Sequence, residues 1–293
     1  MLESYLNQSK SFAIAIPRDE NCSYRIKHIK CLEAKMKYHI DTIPIWDAYH
    51  EETECPLCLL RTKSENDYVD SFLGGSVMEP DTRIEVNEKG FCPNHFQMLY
   101  DAQNRLGLAL MSHTYLKETF KGMQGHVKKL EEFSSSKEQS IFSQLATMAK
   151  GGRSKSSDSP IGQFVNWLDK KVESCIICER LDYTLNRYAY TIVYLWDRDE
   201  KFKDTFKNSK GFCIPHLSLV LSIAVESLNE KRQKKFLDDI IPIQIKNIER
   251  LDEELLWFTQ KFDYRNQDKP WGNSKDALPR TIQKLSGTIV EKE

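Results

Sequence analysis

The chain has no excess of charge of either sign. Its 42 Lys+Arg face 43 Asp+Glu, a net of -1, so no global field draws it to nucleic acid or to an anionic membrane surface. It has no apolar run near the ~18 residues that cross a bilayer. The longest such run near the start, residues 12–16, is too short for the apolar region of a signal peptide. Those absences point to a soluble cytoplasmic protein with no membrane and no nucleic-acid partner. Eight cysteines in 293 residues are too few for a disulfide scaffold. There is no Walker A loop, no GxGxxG and no GxSxG, and no pair of carboxylates stands out as an acid/base site. Strand-type alternation of apolar and polar residues is missing as well. What is present is 40% hydrophobic and 11% aromatic residues, enough to build a core, and helical spacing of those residues.

The few cysteines are not scattered. Cys55-Pro56-Leu57-Cys58 and Cys175-Ile176-Ile177-Cys178 are CxxC motifs; Cys92-Pro93-Asn94-His95 and Cys213-Ile214-Pro215-His216 are CxxH motifs. Only Cys22 and Cys31 are left over. The gap from Cys58 to Cys92 is 33 residues and from Cys178 to Cys213 it is 34. The flanking text repeats too: Asn87-Glu88-Lys89-Gly90-Phe91-Cys92 matches Asn208-Ser209-Lys210-Gly211-Phe212-Cys213. This is an internal duplication.

The duplication organises the chain. Residues 1–35 share nothing with either repeat, and Met36 reads as a natural start, so they are expected to be an extension or a mis-assigned start. Residues 36–133 form the first helical unit. Within it, Gly74-Gly75 ends a helix that follows Cys58. The segment Glu79-Pro80-Asp81-Thr82 reads as a turn, and Asp81, Arg83 and Glu85 as a polar face or an ion-pair network. Gly122 and Gly125 weaken the helix that follows His95. Residues 134–160, rich in Ser and Gly, read as a flexible linker with a short helix at 141–148. Residues 161–262 form the second unit, in which Pro242 should kink or split a long helix. Residues 263–293 are a polar tail, expected to dock on the body. The fold class is therefore mostly α: two pseudo-repeated helical units, each tied by a CxxC…CxxH metal site.

Each unit supplies three thiols and one imidazole, a complete tetrahedral shell for a zinc ion. The expected ligands are Cys55, Cys58, Cys92 and His95 in the first unit, and Cys175, Cys178, Cys213 and His216 in the second. Side chains three apart at a helix start face the same way and can share an ion. A glycine before Phe-Cys lets the backbone turn into that position. The equal gaps favour pairing within a unit; CxxC of one unit with CxxH of the other is the alternative. Two zinc ions, closed by four protein ligands each, leave no position for water or substrate. The expectation is accordingly a binding or scaffolding module rather than an enzyme. Its partner would be a protein or a small ligand held between the units. Rival readings of the same residues are an iron–sulfur redox protein, a thiol-based redox sensor, and buried cysteines that merely pack. His28, His39, His50, His113 and His126 have no partner at metal spacing, and the basic run 231–235 reads as a solvated helix start.

The first CxxC, the segment Met78-Glu79-Pro80-Asp81-Thr82-Arg83, and Gly90-Phe91-Cys92 with His95 together resemble the DUF6062 family of bacterial proteins of unknown function. The tail, Lys261-Phe262-Asp263-Tyr264-Arg265 and Lys269-Pro270-Trp271, resembles it too. The resemblance spans about residues 36–280 and leaves out the first 35. It implies domain boundaries and carries no assigned reaction.

Overall fold

A computed structural model describes residues 39–135 and 159–290. The N-terminal extension, the predicted linker helix at 141–148, Cys22, Cys31, His28 and the His39 side chain lie outside those residues. Asp41–Glu293 form one compact unit, which contains all that follows except the first two residues of the first helix. Helix α1 is His39–His50, and α2 is Pro56–Leu73. A 3₁₀ turn, Gly75–Met78, leads to α3, Pro80–Lys89, α4, Pro93–Asp101, and the long α5, Arg105–Ser135. The second half runs α6 Pro160–Glu173, α7 Ile176–Arg198, α8 Glu200–Lys207, α9 Ile214–Ser227 and α10 Glu230–Gln260. Two 3₁₀ turns then precede α11, Ala277–Ser286. There is no strand among the described residues.

The duplication is visible in backbone angles. Cys55 and Cys175 cap α2 and α7 at φ/ψ of -158/114 and -155/122. Cys92 and Cys213 cap α4 and α9 at -72/166 and -67/162. Pro93 and Pro215 occupy the first turn, where a missing N–H costs nothing. Gly90 and Gly211 both lie at positive φ, 65 and 74. The phenylalanine after each glycine is an anchor: Phe91 packs edge-on against Phe72, and Phe212 lies against Phe206.

Helices α2 and α7 form the centre and run antiparallel. As position rises along α2, it falls along α7. The Tyr68 hydroxyl is 2.7 Å from that of Thr184, and the Arg180 guanidinium stacks over the Phe72 ring. One part of the core gathers Phe72, Leu73, Val86, Phe91, Leu99, Met111 and Ile177. Phe202, Phe206, Phe212, Phe236 and Trp196 fill another, with Trp196 edge-on to Phe236 at 4.8 Å.

Four local expectations need correction. Glu79-Pro80-Asp81-Thr82 is no turn, because Pro80 opens α3 and its fixed φ suits a first helical position. The polar residues of α3 do not form one ion-pair network. Arg83 donates to the Val77 and Leu110 carbonyls, whereas Glu85 pairs with Arg180. Gly122 does not weaken α5, because it gives Trp167 of α6 a seat; a Cβ there would lie 2.8 Å from the indole. Pro242 does not split α10, which stays continuous around it. Buried Phe236, Ile240, Ile243 and Leu251 flank the proline and hold the helix in place.

Candidate metal centres

The eight predicted residues come together, but not within their own units. Cys55 and Cys58 meet Cys213 and His216; Cys92 and His95 meet Cys175 and Cys178. The pairing is crossed, which corrects the expectation of local sites. The reason is the length of α2. Its 18 residues span about 27 Å, so the first CxxC sits at one end of it. The first CxxH, carried back by α3 to α4, sits towards the other end. Since α7 runs antiparallel to α2, the second CxxC is delivered to that same end. Equal spacing along the chain reports the duplication and carries no information on which copies meet.

Both groups have the dimensions of a single tetrahedral ion. Bonds of 2.3 Å to sulfur and 2.0–2.1 Å to nitrogen require ligand edges of about 3.8 Å for S–S and about 3.5 Å for S–N. In the first group, Cys58 Sγ is 3.6 Å from Cys213 Sγ, and His216 Nδ1 is 3.4, 3.4 and 3.2 Å from Cys55, Cys58 and Cys213. In the second, Cys92 Sγ is 3.8 Å from Cys178 Sγ, and His95 Nδ1 is 3.2, 3.2 and 3.4 Å from Cys92, Cys175 and Cys178. All four ligand atoms of each group lie within 4.8 Å of one another. Either group could hold one metal ion.

Three thiols this close cannot all ionise without a cation. Hydrogen bonds from Cys55 and Cys58 hold Cys213 well below the usual thiol range. Burial pushes Cys55 up, and the bond to Cys213 pushes Cys58 up to about 12. The second group divides likewise. Against its burial, Cys175 is lowered to about 6 by the His95 imidazole, whereas burial and the Cys175 charge raise Cys178. Burial opposes the charged form of His95, but bonds to Cys175 and Glu65 outweigh it and raise it to about 10.

The surroundings of the two groups differ. The ligands of the first group are all buried. Helix α11 seals it. The Gly287 backbone packs so close that a Cβ would lie 3.3 Å from Cys213 Sγ and 3.9 Å from Cys58 Sγ. The Gln283 side chain donates to Thr53 Oγ1 at 3.0 Å. Buried Lys284 donates to the carbonyl of Glu54 at 3.1 Å and of Lys210 at 2.5 Å. It thereby joins the segments that enter both motifs of that group. The Glu54 carboxylate is 1% exposed and is gripped by Arg250 at 2.7 and 2.8 Å. In the second group His95 and Cys175 are buried, and Cys92 and Cys178 are half-buried. Its histidine is oriented from outside by Glu65 of α2, whose Oε1 is 3.0 Å from His95 Nε2.

Glu65, Glu54, Gln283, Lys284 and Gly287 were not singled out in the sequence. The tail does dock, as expected: Lys261 donates to the Asn266, Gln267 and Lys269 carbonyls, and Trp257 to the Pro270 carbonyl. Its further course into α11 over a cysteine group was not expected. Only Glu65 left a trace, since it follows Cys58 by seven residues while the residue at the same offset from Cys178 is Leu185. His50, His113 and His126 belong to neither group; His126 stacks on Phe164.

The sequence profile of a family of unknown function, DUF6062, matches residues 36–292. A relative from Caldicellulosiruptor sp. (strain Rt8B.4), described as an uncharacterized 23.9 kDa protein in the xynA 3' region, is 22% identical over 216 residues. The match covers 74% of this chain and 86% of that protein. No solved structure matches.

Proposed function

Because the chain belongs to DUF6062, a family without an assigned reaction, we propose its function from the two Cys/His groups: a zinc-binding helical module that acts by binding or scaffolding. The observation that carries this is the set of three sulfur–nitrogen edges and one sulfur–sulfur edge in each group, 3.2–3.6 Å in the first and 3.2–3.8 Å in the second, with all four ligand atoms of a group within 4.8 Å of one another, as one tetrahedral ion requires. Zinc suits three thiolates and an imidazole and imposes no other geometry. A multinuclear iron–sulfur cluster fits less well, because its protein ligands bind different irons and stand farther apart than the 4.8 Å found here. Four protein ligands close each shell, which argues against metal-based catalysis and for a structural ion. Each ion would join a motif from one repeat to a motif from the other, so the metals hold the α2–α7 pair and its neighbours in one arrangement.

A protein partner is supported by α5 and α6. Helix α6 buries none of its residues, and Ile161, Val165 and Val172 are exposed along it, as are Leu116 and Phe120 on α5. Apolar helix faces of this kind are commonly covered by another protein.

Elemental analysis of untagged protein purified without oxygen tests the reading. About two zinc per chain and no visible absorbance are expected. Iron with matching sulfide, or no metal, overturns it.

A further inference from the structure

We propose that the Cys92/His95/Cys175/Cys178 group is a modification site for hydrogen peroxide, whereas the Cys55/Cys58/Cys213/His216 group is inert to it. This rests on the metal reading above. With zinc bound, Cys92 and Cys178 become joined by a disulfide and that ion is released. The other ion stays.

Three observations separate the groups. The first is access. Cys92 and Cys178 are half-buried, but Cys55, Cys58 and Cys213 are buried, the last two beneath the Gly287 backbone. Oxidation of a thiolate follows its exposure. The second is charge. Zinc with three thiolates and a neutral imidazole carries a net negative charge. At the first group the buried ammonium of Lys284 donates to the carbonyl just before Cys55 and to that of Lys210, and Glu54 is already held by Arg250. At the second group the Glu65 carboxylate accepts from the metal-facing histidine and pushes electron density towards the ion, while the nearby Lys171 ammonium is spent on the Asn87 and Glu88 carbonyls. The thiolates there are the more electron-rich. The third is anchoring: Gln283 donates to Thr53 Oγ1 at 3.0 Å, and that hydroxyl accepts from Cys55 N, so the entry to the first group is tied to α11.

The chemistry closes without further reagents. One thiolate attacks a peroxide oxygen, the O–O bond breaks, and a sulfenic acid and hydroxide form. The second thiolate attacks that sulfur and expels another hydroxide, giving the S–S bond. Two electrons pass from sulfur to peroxide, and two solvent protons convert the hydroxides to water. Cys92 and Cys178 start 3.8 Å apart, so little movement is needed. The zinc is left with Cys175 and His95 alone and dissociates.

The test uses the full chain loaded with zinc. Zinc content is measured first, then peroxide is added. Released zinc is followed with a colorimetric chelator, and each cysteine is mapped by differential alkylation and mass spectrometry. One equivalent should leave at least tenfold faster than the other, with the Cys92–Cys178 disulfide as its product. Lys284→Met should speed loss of the slow equivalent and leave the fast one unchanged. Fewer than two equivalents before peroxide overturns the metal reading, and this inference with it. Two equivalents that leave together, that leave from the Cys55 group first, or that stay bound overturn the inference alone.

Discussion

The carboxylate of Glu65 meets Nε2 of His95 at 3.0 Å, from a helix whose own cysteines serve the other group. Helix α2 thus starts at one cysteine group and supports the second. A partner of this type fixes the ring and its tautomer, and its loss weakens metal binding about 10–100-fold. Glu65→Ala should lower zinc affinity in that range at the Cys92 group only. Competition with a chelator, read alongside Cys58→Ser to silence the other group, measures it.

The crossed pairing can be read chemically. In metal-depleted but folded protein, a mild oxidant should link Cys92 to Cys178 first and the buried pair Cys58 and Cys213 more slowly, their sulfurs being 3.8 and 3.6 Å apart. A peptide map dominated by a bond from Cys58 to Cys92 would contradict the arrangement.

Metal binding at the Cys55 group should release protons. Cys55 and Cys58 lie above the usual thiol range and hold their protons at neutral pH; Cys213 lies well below it and holds none. Two protons must leave when an ion enters, so affinity rises as pH rises, by about a hundredfold per unit near neutrality. Proton release in weakly buffered solution, in Cys178→Ser to isolate this group, should give about two per ion. A value near zero would contradict the assignment.

Gly211 is confined by its backbone and its neighbour. Its φ is +74, and a Cβ would lie 2.0 Å from Gln244 Oε1, the atom that accepts from Phe212 N. Gly211→Ala should destabilise the fold by about 1–3 kcal/mol. Each kcal/mol corresponds to about 2–4 °C in Tm at this size. Gly125→Ala, where a Cβ meets nothing, is the control for thermal denaturation.

Glu54 is a buried charge whose loss orphans others. Arg250→Ala would leave that carboxylate without its shortest partner but still near Arg280, Lys210 and Lys284, so it should cost about 1–3 kcal/mol. Lys234→Ala, in an exposed pair with Glu230, should shift stability by less than about 1 kcal/mol. Denaturant midpoints compare the two.

Helix content, the helix starts at Pro93 and Pro215, the end of α2 at Gly74 and all eight cysteine-group residues were legible in the sequence. These depend on local spacing and on the conformational limits of Pro and Gly, which act over a few residues. The partnering of motifs was not legible, because it depends on the antiparallel approach of α2 and α7 through contacts such as Tyr68–Thr184. The split expected at Pro242 and the weakening at Gly122 misled for a related reason: local propensity opposes a helix at both, and tertiary packing overrides it. Lys284 and Gln283 looked like ordinary polar residues of a tail. Only the fold places them over cysteines more than 70 residues away.

Crossed ligation also sets an order-of-synthesis problem. His95 leaves the ribosome 80 residues before Cys175, about 4–16 s earlier at 5–20 residues per second. During that interval a nascent chain exposes three cysteines and a histidine that can close on one ion with each other, because a flexible gap of this length closes readily. That chelate is incompatible with an intact α2, which holds the two motifs towards opposite ends. On the zinc reading, an ion that arrives early would template a wrong loop that must be undone, and one that arrives after both halves exist would not. The yield of native protein should depend on when the metal is supplied as well as on how much.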